Sequence, residues 1–118
     1  MTRGEDTVTD RPTVLEVIVT AAVRVAIPKH AGDNPRAAVE STLGEIPGIR
    51  HVSLEELGEI ADRDDHLAVE TYSRLTVHLD PETSDAVSVT RGRLAAAESV
   101  IDVQNFQVAS GPYTIESW

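Results

Sequence analysis

HLAVETYSRLTVHLD, from His66 to Asp80, decides how the rest of the chain is read. Its odd positions, Leu67, Val69, Thr71, Ser73, Leu75, Val77 and Leu79, are apolar or small, and Glu70, Tyr72, Arg74, Thr76, His78 and Asp80 hold even ones. A period of two is a β-strand with one dry face. The dry face needs a cover, and the neighbouring sequence must supply both that cover and the strands on either side.

Working upstream, Leu15, Val17, Val19, Ala21, Val23, Val25 and Ile27 alternate in the same way, and their β-branched content favours strand over a buried helix. Pro28 closes the run. Asn34 before Pro35 is a helix start: the Asn side chain caps an orphan amide and proline costs nothing in the first turn. Ala38 or Val39, Thr42 or Leu43, and Ile46 recur at helical spacing until Pro47 and Gly48. A second strand is expected from Ile49 towards Ile60, although LEELGEI also fits a short helix. Downstream of Pro81, a helix falls within Asp85 to Val100, and a last strand runs from about Ile101 to Ala109. Residues 1–12 read as a flexible acidic leader, 13–110 as one domain, and 111–118, after Gly111 and Pro112, as an extended tail free to leave the sheet.

The order is β-α-β-β-α-β. LGEIPGIRHV (43–52) echoes LAAAESVIDV (94–103), and Val23, Val25 and Ile27 before Pro28 mirror Leu75, Val77 and Leu79 before Asp80 and Pro81. Two halves of one plan, each a split β-α-β unit, imply an α+β, ferredoxin-like sandwich: a four-stranded antiparallel sheet with two helices on one face.

Composition excludes several classes of function. The 118 residues suit one domain, and the apolar run around Val17 to Val23 is far too short to span a bilayer. The N-terminus lacks the apolar core of a signal peptide, so a cytoplasmic protein, or part of a virion assembled there, is expected. Without cysteine there is no disulfide, thiolate metal site or cysteine nucleophile. A net charge of −10 with one lysine, Lys29, opposes binding to nucleic acid or anionic membranes and suits a protein working in concentrated salt.

The candidate sites follow from these elements. Lys29, His30 and Arg36 collect at a helix start, where an anion would be attracted. Asp62, Asp64, Asp65 and His66 lack the spacing of a calcium loop and read as a solvated hairpin tip; His51, His66 and His78 are expected on the solvent face rather than around a metal. No serine sits in a nucleophile pattern, so no catalytic residue and no cofactor is assigned. The remaining constellation is an interface: Tyr72, Arg74 and His78 on the polar face of the central strand, with Tyr113, Ile115 and Trp118 in the tail, where aromatics and arginine are the usual anchors.

The β-α-β-β-α-β plan resembles heavy-metal-associated domains, which need a cysteine pair that this chain lacks, and RNA-recognition domains, whose stacking aromatics are matched only by Tyr72. It also resembles the amino-acid-binding regulatory domains called ACT, with Gly32 standing where the ligand loop carries glycine. The expected function is a non-enzymatic structural or assembly subunit that pairs with itself or a larger complex, such as a ring or virion; a small-ligand-binding regulatory domain using Lys29 to Arg36 is the alternative. Strands of about thirteen and fifteen residues, against a mean near 5 to 6, motivate the first, since their excess edge can pair with another chain.

Overall fold

In the computed structural model, which describes residues 13–116, the two alternating stretches pair with each other. β1 (Thr13–Ile27) and β3 (Leu67–Leu79) run antiparallel without a break from Leu15 opposite Leu79 to Ile27 opposite Leu67, odd position against odd. The two dry faces therefore become one surface. Val17, Val19, Ala21, Val23, Val25 and Ile27 are buried along it, as are Val69, Leu75, Val77 and Leu79. Burying each of the Val, Leu and Ile side chains stabilises by about 1.5–3 kcal/mol, so this surface is the main source of folding free energy.

β2 (Ile49–Asp62) flanks β3, and β4 (Val100–Glu116) flanks β1, giving an antiparallel sheet in the order β2-β3-β1-β4. α1 (Pro35–Gly44) begins as expected, with Asn34 accepting from the Ala37 amide. α2 (Ala86–Ala96) is capped by Asp85, which accepts from the Ser88 amide. Val39 and Leu43 of α1, with Ala86 and Leu94 of α2, join the odd-face residues in one hydrophobic cluster. The fold is thus α+β, with its core on one side of the sheet and the even face of β1 and β3 left uncovered.

The strands outrun their cover. Helices of ten and eleven residues are about 15–17 Å long, whereas fifteen strand residues extend to about 50 Å. The molecule measures 64 × 25 × 22 Å.

One alternative and one expectation give way, while the strand expected from Ile49 towards Ile60 is present as β2. LEELGEI is strand, because Leu54 and Leu57 face the core opposite Ser73 and Thr71, and pairing with β3 outweighs local helical preference. The last strand does not stop near Ala109, nor does Gly111-Pro112 release a tail: β4 continues to Glu116, with Tyr113 opposite Glu16 and Ile115 opposite Val14. Proline lacks an amide donor, but on an outer strand that donor would have faced away from the sheet. The leader 1–12 and Trp118 lie outside the described residues.

Both outer strands are irregular. β2 shifts register between Ile49 and His51, Leu54 and Glu56, and Leu57 and Ile60, and β4 does so at four places along β1. Bulges of this kind twist an edge and break the flat ladder that another chain would need.

Candidate interaction face

The five described residues expected at an interface all lie on the uncovered face. Tyr72, Arg74 and His78 are even positions of β3, and Tyr113 and Ile115 share a face with Glu16 and Val14 of β1, since residues directly opposite in an antiparallel pair point the same way. Tyr72 is 36% and Tyr113 61% exposed. Around the charged groups the floor carries several short side chains: Thr20 opposite Arg74, Ala22 opposite Tyr72, and Thr76 opposite Ile18, with Ala26 opposite Ala68 one row beyond Arg24 and Glu70.

A hydrogen-bonded His–Glu pair and an Arg–Glu ion pair frame this floor. Near one end His78 Nε2 lies 3.0 Å from Glu16 Oε2, with Tyr113 across from Glu16 on β4. Towards the other end Arg24 Nη2 lies 2.6 Å from Glu70 Oε2. The hydrogen bond to Glu70, with the further negative charge of Glu70, Asp102 and Glu59, holds the Arg24 guanidinium above even its ordinary pKa, so it is permanently cationic. A shallow hollow of about 310 Å³ opens beside this pair, lined by Glu56, Tyr72, Asp102 and Gln104 among others. Arg74, exposed beside Tyr72, makes no ion pair or hydrogen bond among the described residues.

Glu16, Arg24 and Glu70 were not singled out by sequence reasoning. Their signal was present, as opposite charges on even positions of the two longest alternating runs, but only the register says that Arg24 meets Glu70 and Glu16 meets His78.

In the first β-to-α loop the two cations engage neighbouring groups of β2. Lys29 Nζ is 3.0 Å from Asp62 Oδ1, and Arg36 Nη1 donates to the Leu54 carbonyl at 3.1 Å. Both cations therefore brace the loop and α1 against β2, while His30 is exposed beside them. At the hairpin tip His66 Nδ1 lies 2.6 Å from Asp65 Oδ1, and that hydrogen bond together with the imidazolium charge lowers the Asp65 pKa. His51 is opposite Thr76, so it, His66 and His78 occupy separate places. Among the described residues no three His, Asp or Glu side chains are grouped to hold a metal ion, and no helix is long and apolar enough to cross a membrane. Ser73 is fully buried against Thr71 rather than presented to a substrate.

No family model, curated protein or solved structure matches this chain.

Proposed function

We propose that this chain is a non-enzymatic assembly subunit, built to associate with itself or a larger complex, and that its two-layer architecture is of the ferredoxin-like kind. The strand order and the two helices covering one side support the second statement. The single observation that carries the first is the bare sheet face. Four strands of 13 to 17 residues, spaced about 4.8 Å apart and some 43–56 Å long, present roughly 800–1,100 Å² in plan, enough for the ~800 Å² that each partner contributes to a standard interface. Its small side chains, two tyrosines and framing polar pairs match the apolar-centre, polar-rim composition of such surfaces.

Association through the face replaces the edge pairing expected from strand length alone, because both outer strands are bulged. High salt is the condition under which a subunit of net charge −10 would assemble, since self-repulsion is then screened. Sedimentation velocity across roughly 1–100 µM, in about 0.1 M and 2 M KCl, tests the reading over the micromolar affinity range. A species heavier than the 12.7 kDa chain is expected, growing with concentration. A strict monomer at every concentration and salt, with no protein retained by the tagged chain, overturns it.

A further inference from the structure

On β3, Glu70, Tyr72 and Arg74 occupy alternate positions of the bare face, an acid and a guanidinium two residues either side of a tyrosine. Each has a defined neighbour on β1: Arg24 for Glu70, Ala22 for Tyr72, and Thr20 for Arg74. A half-turn about an axis lying across the strands through the Tyr72–Ala22 row reverses every strand but keeps it over its own copy. Arg74 is carried onto Glu70 of a second molecule, and Glu70 onto Arg74. On β4 the same operation sets Gln107, opposite Thr20, over Asp102, opposite Arg24: an amide donor over a carboxylate. On β1 it sets Ile18 over Ala26.

The geometry points to an isologous dimer of this chain, its two-fold axis crossing the strands at Tyr72, in which Arg74 of each copy pairs with Glu70 of the other. The inference rests on the assembly reading above and supplies its partner and symmetry. Self-complementarity is what a two-fold interface demands of a single patch. Arg24 engages Oε2 of Glu70, which leaves Oε1 to accept from a second guanidinium, and Arg74 makes no ion pair or hydrogen bond among the described residues. The short side chains Thr20, Ala22, Thr76 and Ala68 let two sheets approach to the usual ~10 Å. Packed sheets cross at about 30°, so only pairs near the axis stay in register; Arg74 and Glu70 are about 7 Å from it. The other two-fold, along the strands between β1 and β3, lays Glu70 over Arg24 but Arg74 over Thr20. It would bury an unpaired guanidinium, which is strongly unfavourable.

A charge swap between two chains tests this. Arg74→Glu alone and Glu70→Arg alone each place like charges together twice, and each should weaken the dimer at least about tenfold. Mixed in equal amounts, the two variants place opposite charges together at both contacts, so a heterodimer should return, read by native mass spectrometry of chains carrying different tags. Circular dichroism establishes that each variant is folded. As a second measurement that does not depend on these charges, Tyr72→Cys in this otherwise cysteine-free chain should be joined into a covalent dimer by a short bis-maleimide, and Ser88→Cys on α2 should not. A wild-type dimer that withstands Arg74→Glu, a mixture that stays monomeric, or equal cross-linking at both positions overturns this interface while leaving the assembly reading intact. A wild-type chain that is monomeric throughout overturns both.

Discussion

Ser73 and Thr71 show how single residues on the dry face are accommodated. Ser73 is wholly buried, yet its hydroxyl lies 2.9 Å from that of Thr71, which donates to the Val23 carbonyl at 3.1 Å. With Ser73 donating to Thr71 and Thr71 to Val23, both protons are used and neither hydroxyl is stranded. Thr71→Val keeps the shape but removes Ser73's acceptor, and it should destabilise by about 1–3 kcal/mol in urea unfolding, the cost of an unsatisfied buried donor. Adding Ser73→Ala should restore part of that loss, because no orphan then remains; a double variant as unstable as the sum of the singles would show that the hydroxyls act independently. The alternation alone put both residues on the covered face. It could not show why polar atoms are tolerated there, because the terminal acceptor belongs to a residue 48 positions away. The partners of Lys29 and Arg36 were hidden for the same reason: the two cluster in sequence, whereas Asp62 and the Leu54 carbonyl, which they contact, lie on β2.

At the scale of elements, β1, β3 and the start of α1 were legible because each rests on a local rule: period two for the strands, an Asn-Pro cap for the helix. The end of β4 was not, since Gly-Pro is a stop signal wherever a strand has neighbours on both sides. Gly111 in fact has φ +87, and a Cβ there would collide with the Glu16 carbonyl oxygen. Only glycine lets β4 pass this point at so close an approach. Gly111→Ala should therefore cost about 1–3 kcal/mol and release the last segment, because a left-handed, crowded position admits no side chain without strain. Hydrogen exchange checks it: faster exchange is expected at Tyr113–Glu116 and along the first residues of β1, with protection unchanged from Val17 onward. Uniform loss of protection would mean that this end is integral to the core. Removal of residues 113–118 should likewise leave the buried cluster folded, as that cluster draws on no residue of β4 beyond Phe106. It would also strip Tyr113 and Ile115 from the bare face and so weaken any association through it.

For the whole molecule, charge and shape act together. Glu55, Glu56, Glu59, Asp62, Asp64 and Asp65 are all exposed along β2 and its hairpin, and among the described residues only Asp62 and Asp65 of these make a direct contact with a cationic or imidazole side chain. Repulsion among them reaches over about 10 Å at 0.1 M ionic strength and only about 3 Å at 1 M. The thermal midpoint should therefore rise with KCl, and a value that stays flat between about 0.1 M and 2 M would refute adaptation to salt. Association should rise more steeply than folding, because two copies bring −10 each to one interface and the crosswise two-fold sets Glu56, in the row of Tyr72, against its own copy. Screening does weaken the two Arg74–Glu70 contacts, but these become part of a covered surface, where salt penetrates least. The two effects separate in one variant. Glu56→Gln removes the repulsion at the axis without touching either ion pair, so it should tighten dimerisation severalfold at low salt and leave it nearly unchanged at high salt, as followed by sedimentation equilibrium. Equal tightening at both salts would mean that Glu56 acts through packing rather than charge, and no tightening at either would place Glu56 outside the contact.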